Sequence, residues 1–345
     1  MKRKIPLSGM TLTELKDVAA QTGMPSYSAA QMADWLYKKR IPAIAEMTNL
    51  PAAKRVLLEE TYETGLYAPE DSVRSSDGTV KYLFRTQSGH SVETVCIPSD
   101  ERLTLCVSSQ AGCRMKCLFC MTGKQGFNAQ LTAHEIFNQI HAVPESNLLT
   151  NIVFMGMGEP FDNADEVFKV LEILTSPYGY GWSPKRITVS TIGHTKGLRR
   201  FLEESSCHLA VSIHSPYPNE RQSLMPMEKV YPIAETIRLL RQYDFSHQQR
   251  LSFEYILFEK KNDSLQHAKA LAGLLKGISC RVNLICYHAI PGVPLKSCSL
   301  QTMENFRNAL NDMGIISTIR TSRGEDILAA CGMLSGKNRE KRSNE

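Results

Sequence analysis

The stretch "TLCVSSQAGCRMKCLFC", residues 104–120, joins a strand candidate directly to three cysteines. The strand candidate is "LTLCVSS" (103–109). The cysteines are Cys113, Cys117 and Cys120, in a C-x3-C-x2-C spacing. Three thiolates this close can wrap one soft metal centre. A structural zinc wants four ligands in a closed tetrahedral set. No fourth cysteine or histidine sits nearby, and His134 falls on a predicted helix. Iron–sulfur clusters also normally take four thiolates. Three would leave one iron with an open position, which a centre that reacts with a ligand needs. Zinc stays open as the alternative.

Outward from this stretch the pattern is strand-then-helix. Further strand candidates are 150–156, 186–191, 208–214, 251–258, 280–288 and 316–322, rich in β-branched residues. Segments such as 132–143 and 264–277 are long enough for crossover helices. Such alternation argues for parallel strands. The expected fold class is α/β, an open or incomplete β/α barrel whose chemistry collects at the C-terminal ends of its strands.

Several polar residues fall at those ends. "MGMGEP" (155–160) offers Gly158, where backbone can approach a ligand closely. It also offers Glu159, a carboxylate suited to an ammonium group. "VSTIG" (189–193) places Ser190 and Thr191 at the next strand end. "SIH" does the same with Ser212, Ile213 and His214, and "CYH" offers His288. Hydroxyls there can bond a ribose or a carboxylate, although a Ser or Thr beside a turn commonly bonds its own backbone.

The first ninety residues read differently. "SYSAAQMADWLYKKR" (26–40) carries Met32, Trp35 and Leu36 at helical spacing, with Ser28 as N-cap. A second helix is expected across 50–63, with Pro51 in its first turn. Residues 77–98 alternate like a β-hairpin with its corner at 88–90. The resulting division is a helical accessory domain at 1–75 and a hairpin linker at 76–98 bearing Glu93. A barrel follows at 99–325, then a C-terminal loop and basic tail at 326–345.

The 345 residues are 42% hydrophobic and 22% charged, with net charge +5, as in a soluble globular protein. The basic opening "MKRKIPLSGM" has no apolar run after it and is not a secretory signal. No apolar run reaches membrane-spanning length. The expected location is cytoplasmic, with no membrane partner. Ten cysteines in that compartment point to metal ligation and catalysis rather than structural disulfides. Basic clusters at 37–40, 183–186, 197–200 and 336–342 are compatible with an RNA or DNA partner. Cys331 stands apart in "AACGML", between small neighbours that leave its thiol uncovered. Such neighbours predict a loose, mobile loop, although a free cysteine is often a small buried hydrophobe.

The cysteine trio after a strand, with Phe119 before its last member, resembles the radical S-adenosylmethionine (SAM) superfamily. That resemblance implies a [4Fe-4S] cluster, one per chain, held by Cys113, Cys117 and Cys120. Its unique iron binds the amino and carboxylate groups of SAM, and one electron splits SAM to a 5′-deoxyadenosyl radical. "GEP" resembles the segment that receives the SAM amino group.

A closer resemblance spans nearly the whole chain. It rests on "QMADWLYKK", "VETVCIP", "TLCVSSQAGCRMKCLFCMTG", "NIVFMGMGEP", "SIHSPYPNERQSLMP" and "RTSRGEDILAACGML". These resemble the adenine-methylating RlmN/Cfr family. The family implies that a first SAM methylates Cys331, and that a second yields the radical that takes hydrogen from the S-methyl group. The carbon radical adds to adenine, and Cys106 then releases the product through a transient Cys106–Cys331 disulfide. Glu93 matches the proton-acceptor position, its ordinary alternative being an exposed hairpin carboxylate. Cys106 is a second candidate for that proton. Gly158, Glu159, Ser190, Ser212, Ile213, His214 and His288 match cofactor-binding positions, His288 standing where many relatives have asparagine.

The implied substrates are an adenosine in 23S rRNA at the peptidyl-transferase centre and the adenosine beside the tRNA anticodon. The implied partners are a low-potential electron donor of flavodoxin or ferredoxin type and a thiol reductant, with the chain a monomer. Two alternatives accompany this reading. One is Cfr-like methylation at carbon 8, conferring antibiotic resistance; the other is a non-catalytic zinc-containing RNA-binding protein.

Overall fold

The computed structural model describes residues 4–247 and 249–336. Seven parallel strands run in chain order across one sheet. They are Arg102–Cys106, Asn151–Phe154, Ile187–Thr191, His208–Ser212, Leu251–Leu257, Arg281–Cys286 and Ser317–Ile319. Each expected barrel strand is present. Val, Ile and Leu fill the sheet because helices cover it. Among the crossover helices are Ala133–His141 and Leu265–Leu275, close to their expected spans. The first begins at a capping box, Thr132 with Glu135.

The sheet has ten strands because three antiparallel ones extend its first edge. They are Asp71–Arg74, Val80–Arg85 and Ser91–Ser99. The expected hairpin exists, but it is not a linker: Ser91–Ser99 pairs directly with Arg102–Cys106. The physical reason is burial. Residues 92–96 are all buried, so this strand is wedged into the core rather than spanning a gap.

The N-terminal part packs on the same core. Tyr37 meets Phe137 edge-on at 5.3 Å, and the buried His134 Nδ1 lies 3.1 Å from the Ser8 carbonyl. A further helix beyond those the sequence predicts, Leu12–Gln21, opens at a capping box of Thr11 with Glu14. Ser28 opens the next helix rather than capping it, the cap being Tyr27, which makes no side-chain bond. That helix, Ser28–Ala33, continues as a π-helical stretch, Asp34–Lys39, that ends at left-handed Arg40. Pro51 caps Ala52–Thr61 instead of lying in its first turn. No helix among the described residues is long and apolar enough to cross a membrane. The basic tail expected after 336 lies outside the described residues.

Candidate active site

The three cysteines occupy the loop that leaves the first parallel strand. A short antiparallel pair, Gln110–Gly112 with Phe127–Gln130, closes the base of that loop. Cys120 caps the helix Met121–Gln125, and the Leu118 N–H donates to the Leu224 carbonyl. Burial pushes the Cys113 thiol up to about 12 and raises Cys117 and Cys120. At Cys117 the charges of Cys120 and Cys113 add to that effect, and Arg221 opposes it. Backbone and hydroxyl donors at Thr122 and Gly123 favour the Cys120 thiolate. Mutually repelling, desolvated thiols are a donor set that a cationic centre would ionise together. Among the described residues no three His, Cys, Asp or Glu side chains close on one point, as a tetrahedral zinc would require. Thiolates bound to separate irons of a cluster do not need that convergence.

The neighbouring strand ends converge beside this loop. Glu159 is buried, and burial raises its carboxyl to about 7. It accepts from the Thr191 hydroxyl at 2.6 Å, the Ile192 N–H at 3.0 Å and the Phe161 N–H at 3.3 Å. Thr191, one of the hydroxyls considered for a ligand, is thus spent on Glu159. The hydroxyls of Ser190 and Ser212 are half-buried and have no hydrogen-bond partner among the described residues. Gly158 has φ +104°, and a Cβ there would meet the Gln110 side chain at 2.6 Å. Gln110 in turn accepts from the Glu159 N–H at 2.8 Å, so glycine lets the loop lie flat on its own support.

His214 adopts φ +54°. Its Nδ1 accepts from the Ile256 N–H at 3.0 Å, and its ring stands edge-on to Phe119 at 4.7 Å. Burial lowers its pKa to about 3, so the ring stays neutral. Ile213 is fully buried, with its carbonyl accepting from Arg221 Nε. Arg221, itself buried, also donates to the carbonyls of Ile192 and Ser212 and pairs with buried Glu228.

The two remote cysteines do come together. Cys106 ends the first parallel strand, and its thiol is raised by burial and then by the nearby charge of Cys331. Cys331 is exposed, yet protein walls surround it closely enough that burial still raises its thiol. Glu254 and Cys120 push the same way, and Arg320 opposes them. The next residue, Gly332, lies against the cysteine loop: its carbonyl accepts from the Met121 N–H at 2.7 Å.

The Cys331 segment is not the loose loop expected from its small residues. Asp326 receives the Ser75 hydroxyl at 2.6 Å, and Gly324 donates to Asp77 at 2.9 Å. Leu334 accepts from the Thr122 hydroxyl at 2.7 Å. Its tethers are mostly backbone groups, which side-chain identity does not reveal.

Glu93 is buried, which excludes the exposed-carboxylate alternative. Its Oε2 accepts from the N–H groups of Ser335 (2.6 Å) and Gly336 (3.0 Å), and its Oε1 lies 3.1 Å from Lys81 Nζ. His288, matched to a cofactor-binding position, is buried beside the start of the Cys331 segment. Its Nε2 meets the Ser322 hydroxyl at 2.9 Å and its Nδ1 meets Glu325 at 3.2 Å. Both nitrogens are engaged by the chain itself.

Sequence reasoning singled out none of Lys81, Arg221, Glu254 and Asn283. Glu254 and Asn283 pair across adjacent strands, and the Asn283 amide donates to Glu254 at 2.7 Å. Their signal is a charged or amide residue inside an apolar strand, "SFEYIL" and "RVNLIC". Cys96, Cys207 and Cys298 are simply buried.

A parallel barrel sheet that delivers three cysteines and a Gly-Glu turn to one end defines a radical SAM enzyme. Residues 107–271 match the Radical SAM superfamily, and residues 5–64 match the ribosomal RNA large subunit methyltransferase N-terminal domain. A radical SAM methyltransferase from Sphaerobacter thermophilus has the same fold, with TM-score 0.90 and 39% identity over 96% of this chain and 100% of that one. The probable dual-specificity RNA methyltransferase RlmN of Parabacteroides distasonis is 66% identical over 97% of this chain and 98% of its own. The dual-specificity RNA methyltransferase RlmN of Desulfotalea psychrophila is 39% identical over 99% and 98%. The chain belongs to the RlmN family of radical SAM RNA methyltransferases. Membership implies a [4Fe-4S] cluster and SAM, and it sets aside the zinc-protein and Cfr-like alternatives.

Proposed function

We propose that this chain methylates carbon 2 of an adenosine in 23S rRNA and of the adenosine beside the anticodon in tRNAs. Cys331 is the methyl carrier and Cys106 the thiol that resolves it. The observation that carries this reading is the convergence of the pair beside the cysteine loop: Cys106 senses Cys331, and Gly332 hydrogen-bonds the residue after Cys120. An accessible thiol suits a group that must meet SAM, a base and a second thiol in turn.

Cys113, Cys117 and Cys120 would hold the cluster, which supplies the single electron for SAM cleavage when bound. Gly158, Glu159, Ser190, Ser212, Ile213 and His214 form the SAM side of the cavity. Glu159 has one oxygen with a single donor, Ile192, leaving it able to take an ammonium. His288, which meets Ser322 and Glu325, completes the SAM side of the cavity at the start of the carrier segment. Glu93 is the acceptor for the carbon-2 proton.

Two SAM molecules serve each turnover, one methylating Cys331 and one cleaved. Cys106 then attacks the Cys331 sulfur, methylated base leaves, and a thiol reductant reopens the disulfide. A flavodoxin or ferredoxin type donor supplies electrons, and the enzyme works as a cytoplasmic monomer. The target adenine is recognised after it leaves its stack, with the basic N-terminal helices as the RNA surface.

The test is Cys331→Ala and Cys106→Ala in turn. The first abolishes S-methylcysteine and RNA methylation. The second traps RNA covalently on the protein. Normal product release by Cys106→Ala overturns the resolving role, and 8-methyladenosine among the product nucleosides overturns carbon 2.

A further inference from the structure

Lys81 sits on the antiparallel strand Val80–Arg85, in register with Val95. It is buried, as is its partner Glu93. Taking two charges out of water costs several kcal/mol per ion, so a buried pair is no simple stabiliser. Such a pair calls for a role beyond folding.

The geometry supplies one. The ammonium lies 3.1 Å from Glu93 Oε1 and donates to the Leu328 carbonyl at 3.2 Å. An ammonium has three donors and can serve acceptors on separate segments at once. Glu93 Oε2 meanwhile takes the N–H groups of Ser335 and Gly336. Lys81 and Glu93 therefore grip the chain on both sides of Cys331, at Leu328 before it and at Ser335 after it. Leu328 has φ +54°, a conformation leucine avoids without support, and its carbonyl is the one Lys81 holds.

We infer that Lys81 is a positioning residue that clamps the Cys331 segment and Glu93 together, placing methyl carrier and proton acceptor as one unit. This rests on the roles proposed for Cys331 and Glu93. Lys81 acts through Glu93 and through the backbone at Leu328.

The experiment compares Lys81→Met with Lys81→Arg in the full, reconstituted enzyme. Methionine keeps the length and removes the charge; arginine keeps the charge. Four quantities are read: S-methylation of Cys331 by peptide mass spectrometry, kcat and KM on RNA, amide exchange across 328–336, and the denaturation midpoint. Losing charge-assisted bonds from the segment, Lys81→Met exchanges amides 328–336 about tenfold faster and lowers kcat about tenfold or more. KM for RNA stays within about threefold, because Lys81 is itself buried and offers RNA no direct contact. Lys81→Arg restores most of both losses, which a purely packing role would not predict.

Ser335→Pro gives an independent second test, since it removes one N–H to Glu93 and leaves the sheet untouched. It lowers kcat in the same way and decides the matter if Lys81→Met does not fold. Unchanged exchange and unchanged kcat in the variants that fold overturn the clamp. Cys331→Ala is run alongside: residual RNA methylation there overturns the carrier reading itself, whereas an inactive Cys331→Ala beside unaffected Lys81→Met and Ser335→Pro overturns the clamp alone.

Discussion

Replacing Arg221 by methionine separates what holds the fold from what shapes the site. The guanidinium donates to the carbonyls of Ile192, Ser212 and Ile213, three positions at two neighbouring strand ends. It also pairs with Glu228, whose carboxylate among the described residues otherwise receives the Ile233 N–H alone. Removing one partner of a buried ion pair costs about 3–5 kcal/mol, because the other charge stays buried. Against a total stability of roughly 5–15 kcal/mol that is a large loss.

The double variant Arg221→Met/Glu228→Met removes both charges and recovers most of it. A residue of about 1–2 kcal/mol remains, from the Ile192 and Ser212 carbonyls left without that donor at about 1 kcal/mol each, the Ile213 carbonyl keeping the Ser215 N–H at 2.7 Å. SAM affinity behaves differently. The strand-end carbonyls stay unfastened in the double variant, so binding remains about tenfold weaker although the fold is restored. Urea denaturation of wild type, both single variants and the double variant gives the coupling energy, and equilibrium binding of SAM gives the second quantity. A loss below about 1 kcal/mol in Arg221→Met would refute the reasoning. So would a double variant that binds SAM like wild type.

Three other outcomes follow from the same site. Gly158→Ala drives a methyl group onto Gln110 and displaces the support of Glu159, so SAM affinity falls about tenfold or more in a binding titration. The Glu159 carboxyl is raised from 4.5 to about 7 in the folded chain, so the folded state holds the extra proton between those values. SAM-free wild type therefore loses stability relative to Glu159→Gln as pH climbs from about 4.5 and levels off above about 7. Parallel denaturation series would show it, and a constant difference across that range would contradict the burial of Glu159. His214→Ala loses the Ile256 N–H acceptor at a left-handed position and costs about 2–4 kcal/mol. His214→Asn, whose side chain tolerates that backbone, costs about 1 kcal/mol or less in the same denaturation assay.

The parallel half of the fold was legible because β-branched runs, crossover lengths and a spaced cysteine trio are local signals. The strand ends followed from them, including Glu159 and His214. What escaped was set by distance. Lys81 looks like any lysine in "GTVKYLF" until Leu328 and Glu93 are folded onto it. Arg221 gives no hint of three carbonyls gathered from two other strand ends. Thr191 and Ser190 are adjacent and chemically alike, yet one faces Glu159 and the other does not. The stretch around Cys331 misled because alanine and glycine suggest slack, while its restraint comes from backbone groups meeting Asp, Thr and Glu side chains elsewhere.

Those restraints carry a consequence for how the protein is made. Apart from His288, which meets Glu325, the side chains that tether 324–336 lie 212 to 251 positions earlier in the chain. Closing loops of that length comes late, after local structure has formed. On the ribosome every strand of the sheet is synthesised before the segment that bears Cys331. A nascent chain thus displays its cysteine loop and Glu93 before the Cys331 thiol exists, and the order of synthesis becomes an order of assembly in which the Cys331 segment docks onto a sheet already made.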